Sequence, residues 1–156
     1  MVEWQWSLFD ELSLGELYEI LKIRQAIFVV EQDCAYQDVD DLDQVAWHLV
    51  GRQKGAIKKE IVAYLRVVFP GKKCPEPSIG RVLVMPELRN TGLGKRLVSA
   101  AIAHIADEYP NTAIRISAQQ QLEKFYAELG FRTTSKPYKE DGIAHIEMLK
   151  SVREIM

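Results

Sequence analysis

The sequence predicts an α+β chain with a central mixed, mostly antiparallel sheet flanked by helices. Three observations predict it. Strand-like apolar runs outnumber helical patterns along the chain. The early strand runs follow one another through short polar turns, whereas the later ones are joined through helical patterns, and that combination makes a mixed sheet. One late strand run also leads through a glycine-bearing loop directly into an amphipathic helix.

The elements follow in order. Trp4-Gln5-Trp6-Ser7-Leu8 alternates and reads as a first strand, with Trp4 and Trp6 as core and strand-face residues. Ser13-Leu14-Gly15-Glu16 is a capping box, with Ser13 as N-cap and Glu16 three residues on. Leu17, Ile20, Leu21, Ile23, Arg24 and Ile27 then follow at helical spacing, so a helix runs to about Phe28. From Glu31 to Asp43 the pattern fails and the chain reads as a long irregular segment, rich in acids and without a base. Ala46 to Arg52 and Ile61 to Phe69 are strands joined by the polar turn Gln53 to Glu60. Pro70-Gly71 and Cys74-Pro75-Glu76-Pro77 are loop punctuation. Ile79 to Val84 is a buried strand. After a short loop comes a helix from Gly94 to about Glu108, with Leu97, Val98, Ala101, Ile102 and Ile105 on one face, stopped by Tyr109-Pro110-Asn111. Ala113 to Ser117 is a strand, and Gln121 to Leu129 a short helix ended by Gly130 at its C′ position. Phe131 to Tyr138 and Ile143 to Leu149 form a closing strand pair around Glu140-Asp141-Gly142.

At 156 residues the chain reads as one domain over residues 1–150 with a tail at 151–156, since domains commonly run roughly 100–200 residues. A net charge of -2 and a pI near 5.9 argue against a nucleic-acid binder held by bulk charge. No apolar run approaches the roughly 18 residues a membrane helix needs, and the N-terminus lacks a signal-peptide pattern. Cys34 and Cys74 make no disulfide framework. Reduced thiols in a cytoplasmic protein are the expectation, with one Cys34–Cys74 bridge as the alternative.

The loop Arg89-Asn90-Thr91-Gly92-Leu93-Gly94-Lys95 carries most of the functional information. Glycines at the mouth of a helix let backbone N–H groups close around an anion, and the helix N-terminus adds about half a unit of positive charge. A P-loop triphosphatase would need Ser or Thr after Gly94-Lys95, where Arg96 stands. A dinucleotide-binding turn would need a third glycine where Leu97 stands, and would come early in the chain. The pattern R-x-x-G-x-G after an apolar strand resembles the coenzyme A loop of the GNAT acetyltransferases. Downstream, Phe125-Tyr126-Ala127-Glu128-Leu129-Gly130-Phe131 resembles that superfamily's F-Y-x-x-x-G-F segment. Arg24-Gln25-Ala26-Ile27-Phe28-Val29-Val30-Glu31-Gln32, then Cys34, Tyr36, Asp38, Asp40, Asp43 and His48, resemble its ElaA-like branch. So does Tyr138-x-Glu140-Asp141-Gly142-Ile143-x-His145-Ile146-x-Met148. The departures are Ile27 for valine and Ala144 for proline. The R-x-x-[VI]-F start is also similar to that of the acyl-homoserine-lactone synthases.

The resemblance implies the GNAT acyl-CoA N-acyltransferase fold and direct transfer of an acetyl group from acetyl-CoA to a primary amine. Backbone N–H groups from Asn90 to Lys95 would hold the pyrophosphate, with Arg89 opening the loop. Pantetheine would run along Val82-Leu83-Val84, near Phe125 and Tyr126. Tyr126 matches the tyrosine that protonates the departing thiolate. A phenol near pKa 10 is protonated at neutral pH, and packing on coenzyme A is the other role open to Tyr126. The base is open among Glu31, His48, Glu147, His145 and a water chain, with Glu31 slightly preferred. A lone His in an apolar strand such as Ala46 to Val50 is more often structural. The acceptor side is expected at Phe28, Glu31, Gln32, Tyr36 and His145. Cys34 reads as packing or lining there.

The acidic segment reads first as a solvated loop with local caps and turns, and second as an electrostatic attractor of a cationic amine. Asp38, Asp40 and Asp43 are loosely spaced like a calcium loop but lack its glycine and final Glu, so no metal is expected. The alternatives to an N-acetyltransferase are a non-catalytic acyl-CoA-binding module and an enzyme of the homoserine-lactone type. The partners implied are acetyl-CoA and an amine, with neither nucleic acid nor membrane. A homodimer is common in this superfamily.

Overall fold

The computed structural model describes residues 1–55, 57 and 59–152. Parts of the turn 53–60 and of the expected tail, at Ala56, Lys58 and 153–156, lie outside the described residues. The strands are β1 Val2–Leu8, β2 Ala46–Gln53, β3 Ile61–Val68, β4 Ser78–Val84, β5 Ile114–Gln119, β6 Arg132–Thr133, β7 Tyr138–Glu140 and β8 Ile143–Lys150. The helices are α1 Leu14–Arg24, α2 Leu93–Glu108 and α3 Glu123–Glu128. Among the described residues the strands form one sheet in the order β1-β2-β3-β4-β5-β8-β6, with β7 also on β8. The β4–β5 pair is parallel and the other pairs antiparallel.

Alternation along the strands divides the core between the two faces of the sheet. Leu49 of β2 and Leu65 of β3 pack with Leu97, Val98, Ala101 and Ile105 of α2. Their sequence neighbours Val50 and Tyr64 pack with Ile20, Ile23 and Ile27 on the other face. Burying each such aliphatic side chain contributes about 1.5–3 kcal/mol. Gly51 of β2 is fixed by Trp4 of the neighbouring strand, because a Cβ there would stand 2.7 Å from the indole ring.

The capping box forms as expected. Ser13 Oγ accepts from the Glu16 N–H at 3.1 Å, and Glu16 Oε1 accepts from the Ser13 N–H at 2.9 Å. The helix does not end at Phe28. It widens after Arg24 into a π-helical stretch, Gln25–Glu31, of the kind that often marks functional sites.

Two strands differ from expectation. The run Phe131 to Tyr138 is broken into β6 and β7. The Thr134 N–H donates to Glu147 O at 2.8 Å, but at the next residue the Ser135 hydroxyl accepts from the Glu147 N–H at 2.9 Å, so a side chain takes the place of backbone pairing. Pro137 then offers no donor at all. Asp141 and Gly142, with φ of 50° and 80°, make the tight β7–β8 turn.

The other difference lies in β4. Tyr64 faces Leu83 while Arg66 faces Gly80, so β4 carries one extra residue between the two pairs. Arg81 takes it up as a bulge, at a left-handed φ of 53°.

Candidate active site

β4 and β5 pair at Ser78 and Arg115 alone. Beyond that point the strands part, and a cleft of about 660 Å³ opens between them, with Ile79–Val84 on one wall and Ile116–Gln119 on the other. The backbone edge of β4 beyond Ser78 therefore has no strand partner on its β5 side. An unpaired strand edge in the middle of a sheet is a ready partner for an extended ligand. Leu83 is buried toward α1, so only its backbone is offered to a ligand.

The glycine loop stands where β4 hands over to α2. Asn90 and Gly92 both have positive φ, 63° and 85°, which turns successive N–H groups toward one side as in an anion nest. Gly92 is the N-cap of α2 without a side-chain acceptor, and the first turn holds no acid. That arrangement at the leading N–H groups of a 16-residue helix is suited to an anion. Thr91 Oγ1 pins the loop by donating to Leu88 O at 2.6 Å. Leu93 is buried and serves the loop through its backbone, while Lys95 is exposed. Gly94 lets the Phe125 ring approach, 3.6 Å from where a Cβ would sit. The residues present suit the pyrophosphate of coenzyme A.

Tyr126 lines the cleft. Its ring meets Phe125 and Phe131 edge-on, with centroids 5.0 and 5.9 Å away, which gives a packing reason for the spacing of those aromatics. Burial pushes its phenol up to about 12, and among the described residues its hydroxyl has no hydrogen-bond partner.

On the other wall, Phe28, Glu31, Gln32, Tyr36 and His145 all line the cleft, as does Cys34. Glu31 is engaged. Its carboxylate takes both Nη atoms of Arg89, at 2.6 and 2.9 Å, and the guanidinium holds it below the usual carboxylate range. Arg89 Nε donates to Val84 O at 3.1 Å. Gln119 Nε2 donates to Gln32 Oε1 at 3.4 Å. Cys34 Sγ donates to Asp141 O at 3.2 Å, which ties the β7–β8 turn to this wall. Both cysteines are free thiols. His145 Nδ1 lies 2.8 Å from Ile143 O. A carbonyl only accepts, so Nδ1 carries the proton, and Nε2 faces Glu140 at 3.5 Å.

His48 is elsewhere. It is fully buried, does not line the cleft, and uses both ring nitrogens. Nε2 donates to Asp43 O at 2.9 Å, so Nδ1 accepts from the Tyr64 hydroxyl at 2.7 Å. Burial holds the imidazole below its ordinary value and keeps it neutral.

The acidic segment corrects the expectation most. Asp38 and Asp43 are buried and Asp40 is half-buried, and all three are already paired with cations. Arg24, Arg66 and Arg81 hold them. Asp38 takes Arg24 Nε at 2.9 Å and stands 2.8 Å from Arg81 Nε, with the N–H not aligned for a hydrogen bond. Asp40 takes Arg66 at 2.6 and 2.8 Å. Asp43 Oδ1 takes both Arg24 and Arg66, at 2.6 and 2.9 Å. Tyr36 donates to Asp38 at 2.7 Å with Arg81 over its ring. Burial would raise the Asp40 carboxyl, but Arg66 and Arg81 hold it at about 2. A sequence signal for this existed. Arg24 lies among the apolar positions of α1, Arg66 sits inside the apolar run Ile61–Val68, and buried cations need anions.

The family model for the acetyltransferase (GNAT) domain matches residues 30–152. The protein ElaA of Escherichia coli is 38% identical over 154 residues, covering 97% of this chain and 98% of that one. The UPF0039 protein sll0451 of Synechocystis is 45% identical over 148 residues, covering 95% and 94%. Among solved structures, an acyl-CoA N-acyltransferase from Pseudomonas aeruginosa superposes with a TM-score of 0.90 at 35% identity, covering 97% of this chain and all of that one. With the split sheet, the glycine loop and these relatives in agreement, the chain belongs to the GNAT acetyltransferases, in their ElaA-like branch.

Proposed function

We propose that this acyltransferase moves an acetyl group from acetyl-CoA to a primary amine by direct attack, and that residues 1–150 act as one domain. The observation that carries the reading is the unpaired edge of β4, which leads through a short turn and the glycine loop into the N-terminus of α2, where the N-cap Gly92 offers no side-chain acceptor. Asn90 to Lys95 would hold the pyrophosphate through their N–H groups, and Val82 to Val84 would hold the pantetheine arm in extended form. Bound there, acetyl-CoA supplies a thioester carbonyl and a sulfur leaving group. A backbone N–H on the free edge of Val82 to Val84 would polarise that carbonyl, a contact typically worth a few kcal/mol. The Tyr126 hydroxyl, without a hydrogen-bond partner among the described residues and held protonated by burial, is the proton source at the cleft wall. His145 Nε2 is the proton acceptor we assign to the amine, since His145 lines the cleft with Nδ1 protonated, whereas His48 does not line it and Glu147 is held by Arg115 at 2.9 Å.

Calorimetric titration with coenzyme A, followed by free-thiol release from acetyl-CoA over a panel of amines, tests the reading. Binding with thiol release for one class of amine is the expected result. Absence of binding overturns it. Binding without release for every amine supports the non-catalytic module instead.

A further inference from the structure

The Glu31–Arg89 pair has an unusual position. Arg89 opens the donor loop, while Glu31 ends the π-helical stretch on the acceptor side, 58 residues earlier. All three nitrogens of the guanidinium are engaged. Both Nη atoms go to Glu31, and Nε goes to the carbonyl of Val84, the last residue of β4. The pair thus ties the end of the π-helical stretch to the end of β4, beside the edge and loop assigned above to the donor. Both side chains are more than a third exposed, so neither is held in place by packing. A phosphate offers the same planar, bidentate match to a guanidinium that a carboxylate does, with more charge.

We propose that Glu31 is a positioning residue that competes with the donor for Arg89. In the free protein it holds the guanidinium across the cleft. Binding of a pyrophosphate-bearing donor exchanges that partner for phosphate, releases the Val84 carbonyl, and leaves the Glu31 carboxylate free on the acceptor wall. This rests on the coenzyme A reading above. It goes beyond that reading by assigning an acceptor-side residue a role in donor affinity.

The pair predicts that removing Glu31 tightens donor binding, the opposite of what loss of a binding residue does. In titrations with coenzyme A, Glu31→Gln should bind about three- to fivefold more tightly than the wild type, the effect of one well-formed exposed pair. Glu87→Gln is the control. Glu87 is exposed and acts on Arg89 through charge alone, so it should change affinity by less than about twofold. Arg89→Gln should weaken binding, and Glu31→Gln added to it should change nothing further, as a double-mutant cycle requires of a direct competitor. Equal tightening by Glu31→Gln and Glu87→Gln would reduce the effect to long-range charge and overturn the inference. Unchanged or weaker binding by Glu31→Gln overturns it too. If the wild type does not bind coenzyme A, the donor reading itself fails and takes the inference with it. If it binds and Glu31→Gln does not tighten it, the inference alone fails.

Discussion

Tyr126 and Asp43 show how differently two buried polar side chains can be held. The Tyr126 hydroxyl has no partner among the described residues, so removing it leaves nothing unpaired. Tyr126→Phe should therefore keep stability and coenzyme A affinity while lowering turnover more than tenfold. Unchanged turnover would remove Tyr126 from the reaction. His145→Gln should likewise spare coenzyme A binding and lower turnover by tenfold or more, the usual scale of general-base loss. Asp43 is the opposite case. Its Oδ1 serves two arginines that are 0% and 2% exposed. Removing one member of a buried ion network costs about 3–5 kcal/mol, because the partner charges stay buried. Asp43→Asn should lower the urea unfolding free energy by about that much. A change in acceptor KM without loss of stability would instead revive the attraction of a cationic amine.

At the scale of elements, α2 depends on the glycine that starts it. Gly92 holds a φ of 85°, which costs an L-residue about 1–2 kcal/mol. Gly92→Ala should bring a loss of that size in urea, and a larger loss in coenzyme A affinity because the N–H groups of the loop turn away. Elements like α2 were legible in the sequence because their causes are local. The Ser13–Glu16 box, the helical spacing of Leu97 to Ile105, and Gly130 after α3 each act within a turn or two. The bulge at Arg81 was not legible. Gly80 inside the strand run was its one local hint, because the bulge depends on the register of β3 against β4 and on the aspartates that receive the Arg81 side chain. The break between β6 and β7 was partly written in Pro137. The role of Ser135 depends on Glu147, a residue of the opposite strand. The glycine loop at the start of α2 and the aromatics of α3 beside it were legible, because their signals are short and local. The acidic segment was misread because Asp38, Asp40 and Asp43 are paired with arginines from three separate elements.

Over the whole molecule, that pairing fixes the irregular segment to the sheet and decides how stability responds to acid. Arg24 comes from α1, Arg66 from β3 and Arg81 from β4, and together they hold Asp38, Asp40 and Asp43. His48 donates to the backbone of the same segment at Asp43 O. The groups titrate in different ranges. His48 is held below its ordinary 6.5, so as pH falls through 6.5 the unfolded chain takes a proton that the folded chain refuses. Stability then falls, until the folded imidazole protonates as well. Asp40 and Asp43 are held below their ordinary 3.8, and Asp40 reaches about 2. Their contribution is complete above the unfolded value and is lost as pH falls below it, for Asp40 between about 4 and about 2, as the carboxylates protonate and leave the arginines without those counter-charges. Urea midpoints measured against pH should therefore fall in two stages, a shallow one below about 6.5 and a steep one below about 4. In His48→Gln the shallow stage should shrink to the part left by His104, which burial also holds below its ordinary value, and the steep one remain. A single decline confined to the carboxylate range in the wild type would show that His48 is not kept neutral by the fold.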